Sequence, residues 1–195
     1  MKLEIKEWEE IESFIGKEVF VFSCNSCGGE EIDRKNIKIK EFLEGHGIKI
    51  LGIINLEPKY CNINSLRKIL EENFISSNFV LTFTCGGLPQ VLSSLINSKV
   101  IPAVNTLKIE LERKLGSFAR LCSACGECWI HYVGNLCIER LCPKKMRNGP
   151  CGGARDGYCE VFRERICPFI ILFKNKGEIK DIIPPKKFSK ILLQE

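Results

Sequence analysis

Histidine is scarce in this chain, which carries only two, His46 and His131, in 195 residues. A catalytic pair of cysteine and histidine therefore has little support, because few imidazoles are present to activate a thiol. A dinucleotide-binding fingerprint is also missing, since no G-x-G-x-x-G run follows a predicted strand. These absences argue against a chain that is a complete catalytic unit by itself.

Long apolar runs are missing as well. The run Phe169–Phe173 is far shorter than the roughly 20 residues that a helix needs to span a bilayer. The first ten residues are charged and contain no apolar core of a secretory signal. We therefore expect a soluble, cytoplasmic protein without a membrane partner, in which thiols are kept reduced.

Charge of one sign is not concentrated anywhere. The net charge is +5, from 29 basic and 24 acidic residues that are interspersed. The basic run Lys144–Arg147 lies among cysteines, where it is typical of a solvated loop or offsets the charge of a nearby anionic group. Because no patch interleaves basic residues with stacking aromatics, nucleic-acid binding is not expected.

Cysteine is present in excess, with twelve residues, eight of them between positions 122 and 167. The C-x2-C-x2-C spacing of Cys122, Cys125 and Cys128 allows three thiolates to converge on one [4Fe-4S] cluster. Cys142, which precedes Pro143, is the kind of residue that supplies the fourth ligand. Zinc is the alternative, although zinc sites usually present two separate pairs of cysteines. Disulfides are not expected in a reducing compartment.

The other cysteines of this segment predict a second four-cysteine group: Cys137, Cys151, Cys159 and Cys167. An interleaved arrangement would exchange members between the groups, since the last cysteine of a ferredoxin run ligates the other cluster. Turn residues dominate the segment and large aliphatic residues are few. Its fold is therefore expected to depend on metal.

Strands and helices alternate before residue 105. Strands are predicted at 18–23, 48–55, 78–84 and 100–104, and helices at 1–15, 35–44, 64–72 and 89–96. The alternation predicts the α/β class, with a parallel Rossmann-like sheet, helices on both faces and a small cysteine-rich metal-stapled segment. The run Phe169–Phe173 is predicted as a strand that pairs back onto a sheet or docks on a partner.

Three regions follow from this pattern. Residues 1–115 form an α/β domain with an N-terminal metal site, 116–173 form a cysteine-rich iron–sulfur segment, and 174–195 form a C-terminal tail. A linker is expected around 105–116. The tail begins its Pro-rich part at Pro184 and is a second candidate for docking.

Four cysteines follow the predicted strands of the first domain. Cys24 and Cys27 end the first strand as a C-x2-C pair, Cys61 lies in the loop after the second, and Cys85 ends the third. Ligands of open α/β sheets bind at the carboxyl edge, where these positions meet. The glycine pairs after Cys27 and Cys85 would allow close approach of the backbone and leave N–H groups to face cluster sulfurs. We predict one shared metal site, with four unrelated buried cysteines as the alternative.

Several cysteine–glycine strings resemble those of one family. They are Cys122–Cys128, Leu141–Lys144, Asn148–Gly153, Gly157–Val161, Cys24–Glu30, Phe83–Gly87 and Pro102–Thr106. Together they resemble the MetV-type cysteine-rich small subunit of methylenetetrahydrofolate reductases from anaerobes, a unit that also occurs as a C-terminal extension of some reductases. The resemblance covers about residues 17–173. The family often has a further cysteine after the opening pair, which this chain lacks, and Cys61 is its natural replacement.

The resemblance implies a non-catalytic subunit of an oxidoreductase complex. It would carry two or three [4Fe-4S] clusters, with zinc as an alternative at one site. Its partners would be a large flavin-containing reductase subunit and an upstream donor such as ferredoxin or a heterodisulfide-reductase-like module. The substrate of the complex would be methylenetetrahydrofolate or methylene-tetrahydromethanopterin. A zinc-stabilised subunit that braces the reductase is the competing interpretation.

Overall fold

The computed structural model describes residues 2–24, 32–57, 60–73, 75, 77–109, 117–147 and 149–176. Cys27, the glycine pair after it, Asn148 and the tail from residue 177 lie outside these ranges, as does the predicted domain limit at 115/116. The chain divides into two compact units, Met1–Cys128 and Trp129–Glu195. None of the helices within the described ranges is long and apolar enough to cross a membrane.

Unit 1 is built on a four-stranded parallel sheet. Its elements in chain order are β1 (Lys2–Ile5), β2 (Glu18–Cys24), α1 (Ile32–Glu44), β3 (Lys49–Leu56), α2 (Ile63–Glu72), β4 (Phe79–Phe83), α3 (Gly87–Leu95), β5 (Lys99–Pro102) and β6 (Val104–Lys108). The strand order is β3-β2-β4-β5, and every neighbouring pair is parallel. This confirms the predicted α/β class.

Helices cover both faces of the sheet because side chains alternate along each strand. Val19 and Val21 of β2 pack on one side in a core that includes Ile39 of α1. Phe20 and Phe22 point to the other side, into a core with residues of α2 and α3. The two cores hold the carboxyl ends of β2, β3 and β4 at one edge.

The predicted helix at 1–15 is wrong. Leu3 and Ile5 belong to β1, which pairs antiparallel with β6, and only short 3-10 turns follow at Trp8–Glu10 and Glu12–Phe14. Pairing with a strand about a hundred residues away satisfies the backbone that a local helix would otherwise satisfy. Ile11 is nevertheless fully buried, so the apolar pattern identified a core-facing residue correctly.

The predicted strand at 100–104 is interrupted. β5 ends at Pro102 and β6 begins at Val104, where the chain leaves the parallel sheet to pair with β1. Pro102 lies on the edge strand, where proline is tolerated, and the Ala103 N–H makes the last bond to β4, donating to the Thr82 carbonyl at 3.0 Å. Residues 105–108, predicted as the start of a linker, are therefore part of a strand.

Unit 2 contains α4 (Ile138–Leu141), α5 (Pro168–Lys176) and a 3-10 turn at Ile130–Val133. The predicted strand at Phe169–Phe173 is wrong, because these residues lie in α5. Pro168 occupies the first helical position, which suits its fixed φ. Phe169 and Leu172, one helical turn apart, are buried in the core of unit 2, so this run is committed mainly to internal packing.

The N-terminus of α2 offers a local test of the fold. The Asn62 side-chain oxygen accepts a hydrogen bond of 3.0 Å from the Ser65 N–H. We expect Asn62→Ala to lower the free energy of unfolding by about 1 kcal/mol, the usual cost of a lost N-cap. Urea denaturation followed by circular dichroism would measure it. Asn64→Ala, at an exposed position in the same turn, is the control, and an equal effect of both changes would contradict the capping role.

Candidate metal centre

Three cysteines of the predicted N-terminal site lie at the carboxyl edge of the sheet. Cys24 is the last residue of β2, opposite Leu56 of β3. Cys61 follows β3 in the turn that leads into α2, and Cys85 follows β4. The structure therefore brings these three to the edge where α/β proteins bind ligands. The fourth predicted member, Cys27, lies outside the described residues.

The segment after Cys85 is a tightly held turn at the start of α3. The Gly86 N–H donates to Thr106 Oγ1 at 3.2 Å, and Gln90 Nε2 donates to the Gly86 carbonyl at 2.7 Å. Cys85 itself is buried, with 5% of its surface exposed. The turn thus fixes a buried thiol between β4, β6 and α3.

The C-x2-C-x2-C loop is anchored on β6. The Gly126 N–H donates to the Thr106 carbonyl at 2.9 Å, and the Cys128 N–H donates to Asn105 Oδ1 at 2.8 Å. The buried Lys6 ammonium donates to the Cys128 carbonyl and lies 3.1 Å from a Glu10 carboxylate oxygen. These hydrogen bonds within unit 1 therefore fix the position of the C-x2-C-x2-C loop.

Gly86 is the point where the two cysteine groups meet. A Cβ added there would lie 3.3 Å from Cys122 Sγ and 3.4 Å from Cys128 Sγ. Any larger residue would press against both sulfurs, because the neighbouring positions are fixed by the bonds to β6. The triplet, which the sequence suggested as a separate site, consequently lies directly beside the Cys85 turn.

The thiols at this edge influence one another electrostatically. Burial raises the pKa of Cys85, and the charges of Cys122, Cys24 and Cys61 raise it further, while the Gly87 N–H opposes the shift. Burial also raises the pKa of Cys61, with a smaller contribution from Cys24. A cation bound among these thiols would remove the cost of ionising them, since metal binding displaces the thiol protons.

Backbone N–H groups face three of the sulfurs. The Phe118 and Ala119 amides donate toward Cys61 and lower its pKa, and the Gly87 amide does the same for Cys85. The Ala124 N–H lies 3.4 Å from Cys122 Sγ. Such donors stabilise a thiolate over a thiol, and hydrogen bonds to sulfur tune iron–sulfur potentials. The donor set of soft thiols with N–H partners fits an iron–sulfur cluster or zinc.

The remaining cysteines belong to unit 2. Cys142 and Cys167 share the buried core of this unit, although the sequence placed them in different groups. Cys137 precedes α4, and the Cys159 N–H donates to the Arg165 carbonyl at 2.8 Å. Cys151 is exposed. The predicted group of Cys137, Cys151, Cys159 and Cys167 lies wholly in unit 2, whereas the other combines the unit 1 triplet with Cys142, and both stay predictions.

Within the ranges that the structure describes, no three or more His, Cys, Asp or Glu side chains come close enough together to hold a metal ion. The metal-stapled character of the cysteine-rich segment therefore also stays a prediction. The sequence missed the residues that support the site, above all Asn105, Thr106 and Gln90. The only signal for the first two was their place in the Pro102–Thr106 string.

Comparison with known families bears on the part of the chain that carries the triplet and unit 2. Residues 101–189 match the family model described as "Methylene-tetrahydrofolate reductase C terminal". The match confirms the family resemblance over residues 101–189, which are a little under half of the chain. Neither a curated protein nor a solved structure matches the chain.

The matched segment begins within β5 and includes β6, the strand that anchors the triplet. It contains all eight cysteines between positions 122 and 167. Cys24, Cys61 and Cys85 lie outside it. The family match therefore does not cover the three cysteines that lie at the carboxyl edge of the sheet.

Proposed function

We propose that this chain is the iron–sulfur electron-transfer subunit of a methylenetetrahydrofolate, or methylene-tetrahydromethanopterin, reductase complex. It relays electrons to the flavin of a large catalytic subunit. The observation that carries the proposal is the match of residues 101–189 to the reductase C-terminal family, in a chain that also has Cys24, Cys61 and Cys85 at the carboxyl edge of its parallel sheet. Relay is the role proposed because the sequence carries neither a flavin fingerprint nor an acid–base constellation.

The cysteines at the sheet edge and those of unit 2 would hold the clusters. A bound [4Fe-4S] cluster supplies reversible one-electron chemistry. The chain's own contribution is to bury the Cys85 thiol, to direct the Gly87, Phe118 and Ala119 amides toward sulfur, and to fix the loop through β6. Burial limits access of water, and the amides, which lower the pKa of Cys61 and Cys85, stabilise the ionised thiols against the cost of that burial.

The partners of the proposed subunit are the flavin-containing large subunit and an upstream donor, ferredoxin or a heterodisulfide-reductase-like module. An apolar surface on unit 2 supports docking of the large subunit. Its members, Tyr158, Val161, Phe162 and Ile166, are between 39% and 50% exposed. Exposed aromatic and aliphatic side chains in a turn-rich segment are typical of interaction surfaces.

Anaerobic co-purification with a flavin-containing reductase subunit tests the proposal. We expect a brown complex with iron and acid-labile sulfide in equal amounts, whose clusters are reoxidised by the flavoprotein in stopped-flow absorbance. The chain purified without the flavoprotein is the control for spontaneous reoxidation. A colourless zinc-containing chain, or clusters that exchange no electrons with the flavin, would replace the relay with the zinc-stabilised bracing subunit.

A further inference from the structure

The interspersed charges of the sequence divide unevenly between the two compact units. Residues 129–176 of unit 2 contain nine Lys and Arg residues but only four Asp and Glu residues, a net charge of +5. Residues 1–128 contain 16 basic and 17 acidic residues, a net charge of −1. Unit 2 therefore carries the chain's excess of positive charge, and it favours partners whose facing surface is acidic.

Two of the basic residues of unit 2 line one open cleft. The cleft has a volume of about 690 Å³, and Arg155 and Arg163 line it together with Tyr158 and Val161. Tyr158 and Val161 belong to the apolar surface already proposed to contact the large subunit, and they are about half exposed. The cleft thus combines two guanidinium groups with apolar walls, and it is continuous with that surface. Arginine and tyrosine are enriched in protein-binding surfaces.

The two guanidinium groups are available to a partner. Both side chains are exposed, and neither forms an ion pair with the part of the chain that the structure describes. The Glu160 carboxylate, which also lines the cleft, binds Lys144 and occupies the place where a Cβ on Gly153 would stand. Its charge is thereby offset, and Asp156 is the other acidic residue of the lining. The cleft therefore keeps a net positive charge.

The backbone that presents these side chains is held by hydrogen bonds. The Arg155 N–H donates to the Tyr158 carbonyl at 3.1 Å, and the Tyr158 N–H donates to the Arg155 carbonyl at 2.8 Å. Between them, Asp156 and Gly157 have φ of +53° and +86°, as a two-residue hairpin turn with two left-handed residues requires. The Cys167 N–H donates to the Gly157 carbonyl at 2.8 Å, which ties the turn to the start of α5. A surface ordered in advance loses less conformational entropy on binding.

We propose that this cleft binds an acidic segment of the large flavin-containing subunit, with Arg155 and Arg163 pairing with carboxylates of that segment. The identity of the partner rests on the proposed function, whereas the chemistry of the contact rests on the charge and lining of the cleft. Guanidinium groups bind carboxylates through two parallel hydrogen bonds, so the contact orients the partner as well as attracting it. Because the Asp156 carboxylate lies in the same lining, separate carboxylates fit better than a continuous run of phosphates.

Charge reversal in the full chain tests the contact. We expect R155E/R163E to weaken binding to the flavin-containing subunit at least about tenfold in calorimetry at low salt, since close charge pairs are lost. K17E/K40E changes the net charge equally at exposed positions of unit 1 and is the matched control. Its affinity should stay within about twofold of that of the unaltered chain. Equal affinities of R155E/R163E and the control would overturn the proposal.

Chemical modification of the unaltered complex covers variants that fail to fold. Phenylglyoxal reacts with exposed guanidinium groups, and mass spectrometry locates the products. Formation of the complex should protect Arg155 and Arg163 and leave Arg67, an exposed residue of α2, reactive. Full reactivity of Arg155 and Arg163 in the assembled complex would overturn the proposal.

A synthetic hexaglutamate peptide separates this proposal from the functional one. If the chain forms no complex with the flavin-containing subunit, the proposed function fails, and the cleft is scored with the peptide alone. Binding of hexaglutamate that is lost in R155E/R163E and kept in K17E/K40E would retain the cleft as a site for acidic segments. Absent binding, equal binding by all three proteins, or tighter binding of an oligothymidine of the same charge would overturn it.

Discussion

Gly87→Ala should lower the free energy of unfolding of unit 1 by about 3 kcal/mol, at the upper end of the usual cost of overpacking. The added Cβ would overlap the Phe118 carbonyl. This obstacle is backbone, so no side-chain rotation relieves it, and either α3 or the turn Ser117–Leu121 must shift. Urea denaturation followed by far-ultraviolet circular dichroism would measure the loss.

The same shift should weaken metal binding at the proposed centre. Phe118 and Ala119 direct their amides toward Cys61, and Cys122 follows in the same turn. We therefore expect Gly87→Ala to release metal to a chelator faster than the unaltered chain does. Ser94→Ala, at an exposed position of the same helix, is the control and should change stability by less than about 0.5 kcal/mol. A Gly87→Ala protein as stable as this control would contradict the packing argument.

Removal of metal should unfold unit 2 and leave the sheet of unit 1 folded. Among the described residues of unit 2, the buried apolar cluster comprises seven side chains, two of which, Cys142 and Cys167, are proposed ligands. So small a core contributes little stability alone, and binding free energy becomes folding free energy in such units. We expect amide hydrogen exchange over residues 129–176 to accelerate at least about a hundredfold after anaerobic chelation.

Exchange in the parallel sheet provides the internal control. β2 and β4 lie between two apolar cores that contain no cysteine of unit 2. Their amides should keep their protection in the same sample, which rules out general damage by the chelator. Unchanged exchange in unit 2 after complete loss of metal would show that its apolar core suffices.

Local patterns predicted the parallel sheet because its strands are continuous apolar runs with helices between them, as in β2 and β4. Local patterns gave wrong predictions where a strand pairs with a distant part of the chain, and where a short apolar run fits both a strand and a helix. β1 exists because β6 lies beside it, and nothing in residues 1–15 reports that neighbour. Phe169–Phe173 is too short for its apolar residues to separate strand from helix, although Pro168 is typical of a first helical position.

The candidate site was likewise predicted only in part from the sequence. Spacing located the cysteines, and strand ends brought Cys24, Cys61 and Cys85 to one edge, as the order of elements implied. The placement of Cys122 and Cys128 beside Gly86 was not predictable from spacing. It depends on the hydrogen bond that Asn105 accepts from the Cys128 N–H and on the one that Gln90 donates to the Leu121 carbonyl. No sequence motif marks an asparagine or glutamine side chain that will bind the backbone of a distant loop.

The contact between Lys6 and Cys128 indicates when the cysteine loop can fold relative to the synthesis of the chain. The Lys6 ammonium binds the carbonyl of Cys128, a residue 122 positions further along the chain, and β1, which ends at the preceding residue Ile5, pairs with β6. Contacts of such sequence separation form late, since the intervening chain must first be made and compacted. The sheet therefore has to be complete before the cysteine loop takes its place. Assembly of the proposed cluster at this edge would accordingly follow folding of unit 1, after the last residues of the loop have left the ribosome.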